Sequence, residues 1–416
     1  MQITDEDIKN FKKGVDVRLT IDGETRVYTS YLVPLEGLYF NESNGRIATY
    51  IDEMRANQND GTNIDQLLKS NEIDKYNDII ANFIKKSAND NEVSYKKTKK
   101  DISEQGQRIP GVILRSGRII DGNRRFTCLR ELFKATGDTK FDFFECVILD
   151  DPKTKEQQRS IKLLELNLQF NVDEKKDYDR IDFLVGFYKD TMSPSPDRID
   201  RTTYCRASGL TGAEYDKNKR IVEIMLDYLE WRGQPNAFYL LKKEKLDGPI
   251  EELATKSKRL TSDEWNQKKT VIYSYMTFNQ TGDRTRDVRV ILSSAIKDGV
   301  LFQKMKEEIE KPENMNQLTS AVVMLNKKPT NAEESKQKEE TTKKIQTNLI
   351  QTFQSGKYEE TIMEDANAPK KTLEGVLSTI QKIKPLQVQN FPPDKKEELQ
   401  KIIHDIETYL NGLINE

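Results

Sequence analysis

Two adjacent arginines lie where the sequence changes from strand spacing to helix spacing. The segment Asp121-Gly122-Asn123-Arg124-Arg125 follows the apolar pair Ile119-Ile120 and precedes apolar residues at helical intervals from Phe126 onward. Glycine permits a positive φ and lets a ligand approach the backbone closely. The free amides of a first helical turn attract anions, and a guanidinium can grip phosphate oxygens with two donors. The spacing predicts a phosphate cradle and fits a solvated surface turn equally well.

The other side chains that carry chemistry are sparse. Cys128, Cys146 and Cys205 are far apart and form no C-x-x-C pair, and His404 is the single histidine. A zinc site or a Cys-His or Ser-His hydrolase needs several such residues in a recognisable pattern. We therefore predict neither, and we expect no metal site built from the chain's own side chains.

The elements on either side of the arginine loop predict a small mixed sheet. Pro110 to Leu114 is an apolar run of strand type, Ser116-Gly117 makes a turn, and a second strand runs through Ile120. Phe141 to Leu149 predicts the last strand, and Asp150-Asp151-Pro152 ends this domain. The loop with the arginines therefore leaves a sheet and enters a helix.

The whole chain is predicted to be α+β, with a small mixed-sheet domain followed by a mainly α-helical region. A short helix capped at Thr4 and two strands joined at Asp22-Gly23 precede the sheet domain. The predicted units are residues 1–29 (helix and hairpin extension), 30–152 (sheet domain), 153–325 (helical domain), 326–345 (linker) and 346–416 (C-terminal helical hairpin).

A glycine-containing turn joins two of the helices predicted beyond the sheet. Residues 202–231, with Gly209 in the turn, have the outline of a helix-turn-helix. Its second helix would present Lys217, Asn218 and Arg220 to DNA bases and phosphates. Because Asn218 stands where such a helix usually has an apolar core residue, a plain helical hairpin fits equally well.

Two amphipathic helices are predicted at the C-terminus, on either side of Pro392-Pro393. One carries an apolar stripe from Leu373 to Ile383, and the other carries one from Leu399 to Leu413. Such a hairpin cannot bury both faces alone. It either forms a homodimer through residues 372–416 or packs back on the preceding helices. The linker at 326–345 is either flexible or a solvated helix, because it has few apolar residues.

The composition gives broad limits on location and partners. One third of the residues are charged, 35% are hydrophobic and the net charge is −2. Any surface for nucleic acid must therefore be a local patch, such as the lysines among residues 96–100. No apolar run approaches the roughly 20 residues of a membrane span, and the polar N-terminus does not resemble a signal peptide. We expect a cytoplasmic protein with reduced thiols and no membrane partner.

The segment from Ile119 to Leu129 resembles the signature of the ParB/sulfiredoxin-like superfamily. Members place a G-x-R-R, D-G-Q-x-R or G-C-H-R sequence between a strand and a helix. Residues 33–38 and 44–46 are similar to the family's opening strand and its asparagine and arginine positions. Residues 164–169 resemble the E-N-x-Q element that follows the domain in partition ParB proteins. The resemblance covers about residues 30 to 180.

The resemblance implies a nucleotide site. The ligand would be a nucleoside triphosphate, ATP or CTP, with or without Mg²⁺. The residues that the resemblance assigns to its phosphates are Arg46, Gly122, Asn123, Arg124, Arg125 and Thr127. Asn123 and Leu166 stand where partition ParB proteins have glutamates for nucleotide and metal binding. An amide cannot supply the negative charge that Mg²⁺ prefers, so this departure puts CTP hydrolysis and a need for Mg²⁺ in doubt. The sulfiredoxin reaction is excluded because the signature cysteine is absent.

Three functions follow from these observations. The D-G-N-R-R form is similar to D-G-Q-x-R members in restriction subunits and in regulators of DNA modification or phage defence. The first hypothesis is a ParB-like, nucleotide-responsive DNA-binding protein. The second is an NTPase or phosphotransferase in which Asp121 acts as the catalytic carboxylate by orienting a metal or fixing Arg124. Helix capping is an equally good role for Asp121. The third is a module whose arginines bind only DNA phosphates.

Overall fold

The computed structural model describes residues 2–21, 23–42, 44–56, 64–70, 72–87, 92–171, 179–195, 198–279, 281–327, 329–384 and 388–415. The predicted α+β class is confirmed, because a small mixed sheet near the N-terminus is followed by a mainly helical region. Among the described helices, none has the length and apolar character that a membrane crossing requires.

The sheet contains the predicted strands in an order that is not sequential. The strands are β1 (Lys12–Ile21), β2 (Glu24–Pro34), β3 (Gly111–Leu114), β4 (Ile119–Asp121) and β5 (Phe143–Leu149). Their order is β1-β2-β5-β3-β4, in which β3 and β5 are parallel and the other neighbours are antiparallel. The N-terminal hairpin therefore extends the sheet, since β2 pairs with β5.

Helices cover both faces of this sheet. Those in the sheet domain are α1 (Asp5–Asn10), α2 (Ala48–Ala56), α3 (Ile64–Leu67), α4 (Ile73–Ser87), α5 (Glu92–Gln105) and α6 (Asn123–Thr136). Side chains alternate along β5, as the period of a strand requires. Phe144 and Cys146 join the core that contains Phe126 of α6, whereas Val147 and Leu149 face the opposite side. The part of the sheet formed by β5, β3 and β4 is thus buried on both faces, and α6 is fixed against one of them.

The helical region begins with a helix that closes the second face of the sheet. The helices are α7 (Lys155–Asn171), α8 (Arg180–Thr191), α9 (Arg201–Ser208), α10 (Gly212–Trp231), α11 (Phe238–Lys243), α12 (Asp247–Lys256), α13 (Ser262–Phe278), α14 (Arg284–Ile296), α15 (Val300–Glu310), α16 (Pro312–Asn326), α17 (Ala332–Ile380) and α18 (Pro393–Asn415). Ile161 and Leu164 of α7 pack on the sheet, while α8 to α17 share a separate apolar core.

The segment predicted as a linker is largely helical. Helix α17 begins at Ala332 and continues without a break past residue 345, so the predicted boundary at 345/346 lies inside it. Asn331 caps the helix by accepting a hydrogen bond from the backbone N–H of Glu334 at 2.8 Å. Leu349 and Phe353 are buried in the core of the helical region. The start of α17 therefore belongs to the helical body, and the solvated-helix alternative holds for residues 332–345.

The C-terminal apolar stripes are exposed. Leu377 on α17 is 55% exposed, and Ile402 on α18 is 54% exposed. Other members of the two stripes are similarly accessible: Leu373, Val376, Ile380, Ile383 and Ile403. These faces are not buried against the preceding helices in the described part of the chain.

Candidate anion-binding cleft

The junction between β4 and α6 has the backbone that the sequence predicts. Gly122 precedes the first residue of α6 and has a φ of 98°. A Cβ atom at this position would lie 2.7 Å from the ring of Phe144 and 3.1 Å from Nη2 of Arg125. Both the left-handed φ and the close packing therefore require glycine here. The side-chain cap expected of Asp121 is not present at this helix start.

Asp121 instead positions an arginine. Its Oδ2 accepts a hydrogen bond from Nη2 of Arg125 at 2.7 Å, and the two residues form an ion pair one helical turn apart. Asp121 was expected to fix Arg124, but the arginine that it pairs with is Arg125. A bidentate or charged partner orients a planar guanidinium effectively. Asp121 thus aims Arg125 across the loop and over Gly122.

Two polar atoms at this junction have no hydrogen-bond partner among the residues that the structure describes. They are Nε of Arg125 and Oδ1 of Asn123, and both are buried. A buried donor or acceptor without a partner costs about 1–3 kcal/mol, so such atoms are rare unless a ligand or water satisfies them. Their position beside a glycine that allows close approach is typical of a binding site.

Asn123 and Arg125, which carry these atoms, line a cleft with a volume of about 580 Å³. Five of the residues assigned to a phosphate site by sequence line it together: Arg46, Gly122, Asn123, Arg124 and Arg125. Arg46 comes from a short 3₁₀ turn, Gly45–Ile47, whose start is capped by Asn44. The cleft therefore brings together the turn at Gly45–Ile47 and the start of α6, which are far apart in sequence.

The other wall of the cleft was not predicted. Helix α5 contributes Lys97, Thr98 and Asp101, the following loop contributes Arg108 and Ile109, and α7 contributes Leu168 and Gln169. The lysines among residues 96–100 were noted in the sequence as a possible nucleic-acid patch, but nothing in the sequence placed them near the arginine loop. Residue spacing does not predict which helix lies opposite a loop, because tertiary packing determines that.

The cleft is strongly cationic. Its lining includes five cationic side chains, Arg46, Lys97, Arg108, Arg124 and Arg125, and two carboxylates. Each carboxylate is already engaged: Asp101 pairs with Arg108 at 2.8 Å, and Asp121 pairs with Arg125. Among the lining residues that the structure describes, positive side chains therefore outnumber negative ones by three. A cleft with one dominant sign of charge attracts ligands of the opposite sign.

Helices α4, α5 and α6 are joined beneath the cleft by Glu131. Its carboxylate accepts hydrogen bonds from Lys85 at 2.7 Å and from Tyr95 and Lys99 at 2.9 Å. Burial opposes ionisation, but these three donors outweigh it and lower the pKa of Glu131 to about 2. The ionised carboxylate therefore holds the α5 wall in place. Cys128, one turn earlier, is buried, and burial raises the pKa of its thiol to about 11.

Thr127 does not line the cleft, contrary to the expectation. Its side chain is fully buried, and its hydroxyl donates to the carbonyl oxygen of Asn123 at 2.9 Å. Threonine in a helix often makes this bond to the residue four positions earlier. In this structure Thr127 therefore lies apart from the other residues predicted to bind phosphate.

Two of the three candidate DNA-reading side chains of α10 are used in packing. Asn218 is buried and accepts a hydrogen bond from Arg180, while Nε of Arg220 donates to the carbonyl oxygen of Ala254 at 3.0 Å. Lys217 is exposed, and its Nζ lies 3.7 Å from Glu251 of α12. Helices α9 and α10 do meet at a tight turn, where Gly209 has a φ of 69°. The arrangement is a helical hairpin in which Lys217 is the exposed member of the three predicted reading residues.

Within the described residues, no group of three or more His, Cys, Asp or Glu side chains could hold a metal ion. Glu165, in the segment that resembles the E-N-x-Q element, does not line the cationic cleft. It is buried in a neighbouring pocket, where Asn41 and Gln169 donate hydrogen bonds to it. The cleft is therefore lined by cations and backbone rather than by a carboxylate cluster.

Comparisons of the chain with protein-family models, curated proteins and solved structures found no match. The resemblance to the ParB/sulfiredoxin-like superfamily therefore stays a prediction that rests on the motif residues.

Proposed function

We propose that the protein binds a nucleoside triphosphate in the cationic cleft and that the bound nucleotide controls its binding to DNA. The observation that carries the first step is the meeting of Arg125, Asn123 and Gly122 in one cleft with an excess of positive charge. Unpartnered polar atoms and a glycine at a helix start suit phosphate oxygens, which accept from both guanidinium and backbone N–H groups.

The size and the mixed lining of the cleft favour a nucleotide over a free phosphate ion. Small-molecule sites are commonly about 300–1,000 Å³, and this cavity of about 580 Å³ lies within that range. Besides the cationic residues, aliphatic side chains line it: Ile84, Ile102, Ile109, Ile120 and Leu168. We propose that the phosphates contact the arginines and that the sugar and base contact the aliphatic side chains.

The DNA-binding step of the proposal is supported by the resemblance of the D-G-N-R-R loop to DNA-handling relatives. Since Asn218 and Arg220 are used in packing, DNA would contact other residues. The exposed lysines of α5, Lys96 and Lys100, are candidates because they lie on the helix that forms one wall of the cleft.

A thermal-shift experiment tests the nucleotide step. ATP, CTP, GTP and UTP are added separately, with and without Mg²⁺, to the wild type and to Arg124→Gln and Arg125→Gln. A ligand at about 100 times its Kd stabilises the native state by about 2.7 kcal/mol, so Tm rises. We expect at least one nucleotide to raise the Tm of the wild type and to lose most of that effect in both variants.

Arg159→Gln is the matched control, because Arg159 forms an exposed ion pair with Asp200 and does not line the cleft. It should keep the full shift. No shift with any nucleotide, or an equal shift in Arg125→Gln and the wild type, would refute the nucleotide step. Release of inorganic phosphate from the bound nucleotide would instead support the NTPase alternative.

Fluorescence anisotropy of a labelled DNA duplex tests the second step separately. We expect the affinity for DNA to change when the nucleotide that raises Tm is added, and this change should be lost in Arg125→Gln. DNA binding that is indifferent to nucleotide would contradict regulation while leaving the nucleotide site intact.

A further inference from the structure

A second pocket, here called the interdomain pocket, lies between the sheet domain and helices α7 and α8. Its volume is about 620 Å³. Tyr39 and Arg118 line it from the sheet domain, Glu165 from α7, and Phe187 and Asp190 from α8. Gln169 lines both this pocket and the cationic cleft, so the two cavities are adjacent at this residue.

One buried carboxylate in the interdomain pocket is only half satisfied. Oε1 of Glu165 accepts hydrogen bonds from Asn41 at 2.7 Å and from Gln169 at 3.3 Å. Among the described residues, Oε2 of Glu165 has no hydrogen-bond partner. Burial raises the pKa of Glu165 to about 7, although Arg118 acts in the opposite direction. The side chain therefore presents an oxygen that can still form a hydrogen bond.

An arginine in the same pocket is also incompletely satisfied. Nε of Arg118 is buried and has no hydrogen-bond partner in the described part of the chain. Arg118 acts electrostatically on Glu165, yet the two form no ion pair within the described structure. A buried donor and a buried carboxylate that attract each other without touching leave room for a molecule between them.

The charges of the pocket are balanced among the residues that the structure describes. This lining contains four acidic side chains, Glu42, Asp151, Glu165 and Asp190, and four basic ones, Arg55, Arg118, Lys162 and Lys189. Asp190 pairs with Lys162 at 3.0 Å, and Glu42 pairs with Arg55 at 3.3 Å. An anion alone would therefore approach Glu165 unfavourably, and a cation alone would approach Arg118 unfavourably.

We propose that the interdomain pocket binds a small zwitterion of the amino-acid class. The carboxylate of the ligand accepts from Arg118, and its ammonium group donates to Glu165. A molecule with one positive group, one negative group and no net charge forms hydrogen bonds with both Arg118 and Glu165. It leaves no buried charge unpaired. Phe183 and Phe187, which also line the pocket, give an apolar ligand side chain a surface to contact. This proposal does not depend on nucleotide binding in the cationic cleft.

The common L-amino acids, each at about 5 mM, serve as probes in a thermal-shift experiment, because binding to the native state raises Tm. Sodium acetate and methylammonium chloride at the same concentration are the single-charge controls. We expect at least one amino acid to raise Tm, the two controls to have no effect, and the affinity to fall at least about tenfold in Arg118→Gln and Glu165→Gln, the loss of about 1.4 kcal/mol. Arg159→Gln, which lines neither pocket, should keep the shift.

Calorimetry on the wild type provides a second readout that needs no variant. An ammonium group beside Glu165 favours its ionised form, so binding should release protons within the range of about pH 6 to 8, measured at several pH values from the buffer dependence of the binding enthalpy. The absence of a shift with every amino acid, an equal shift with acetate, or full binding by Arg118→Gln would overturn the proposal. Amino-acid binding with no proton release would also overturn the assignment of the ammonium group to Glu165.

Discussion

At the scale of single residues, the cleft depends on a glycine that no other residue can replace. Gly122 combines a φ of 98° with a position where a Cβ atom would lie 2.7 Å from the ring of Phe144. We predict that Gly122→Ala lowers the free energy of unfolding by roughly 2–4 kcal/mol and weakens nucleotide binding, since both strain and a clash result. Urea denaturation and the thermal-shift assay measure the two effects.

Gly137 gives the matched control for that prediction. It ends α6 with a φ of 65°, but a Cβ atom there would contact nothing within 4 Å. We therefore expect Gly137→Ala to lower the free energy of unfolding by about 1 kcal/mol, from backbone strain alone. Ligand binding should be unchanged. Equal losses of stability in the two variants would show that packing against Phe144 is unimportant.

Part of the site could be predicted from residues alone, and the rest could not. The strand-to-helix change of spacing located the loop at 121–125, and the resemblance added Arg46; the structure brings these residues to one cleft. The position of Thr127 outside the cleft could not be predicted, because sequence does not show that its hydroxyl bonds to the helix backbone. Glu165 was noted in sequence only for its motif, and its burial beside Asn41 depends on packing between distant segments.

At the scale of the elements, the walls of the cleft are held together by Glu131. This carboxylate receives hydrogen bonds from α4 and α5 while it sits on α6. We predict that Glu131→Gln lowers the free energy of unfolding by roughly 1–3 kcal/mol, because Lys85 and Lys99 lose a partly buried anionic partner. Chemical denaturation near neutral pH measures this loss.

The same carboxylate predicts sensitivity to acid. The pKa of Glu131 is lowered from 4.5 to about 2 in the folded protein. The stabilisation is therefore fully present above pH 4.5 and is lost as the pH falls toward 2. The difference in unfolding free energy between wild type and Glu131→Gln should shrink over this range. Glu104→Gln, at an exposed pair with Lys100, should change stability by less than about 0.5 kcal/mol at any pH.

The secondary structure was largely accessible from sequence where local signals were strong. Apolar alternation and glycine turns located the strands, and the N-cap at Thr4 was correctly identified. The secondary structure of the segment at 326–345 was harder to predict, because a charged stretch with few apolar residues is compatible with either a flexible linker or a helix. Its helical state follows from the cap at Asn331 and from the packing of Phe353 farther along the same helix.

At the scale of the whole molecule, the C-terminal stripes predict self-association. Leu373, Val376 and Ile380, at the end of α17, follow the three-four spacing of a coiled-coil seam, and they are 41–43% exposed. We predict a homodimer through residues 372–416, detected by light scattering coupled to gel filtration as twice the monomer mass. Leu377→Glu combined with Ile402→Glu should shift the protein to monomer.

Ser378→Glu is the control for the dimer, because Ser378 is exposed and lies beside the stripe rather than on it. It should remain dimeric. A wild-type protein that elutes and scatters as a monomer at micromolar concentration would refute the prediction and leave the exposed stripe for another partner.

The most direct test of the nucleotide site is a crystal structure of the protein grown with an excess of a nucleoside triphosphate. The account predicts phosphate density at the start of α6, with oxygens within hydrogen-bonding distance of Arg125 Nε and of Arg124. A cleft that contains only ordered water while the nucleotide lies elsewhere on the surface, or an Arg125 that contacts only Asp121 in the complex, would contradict it.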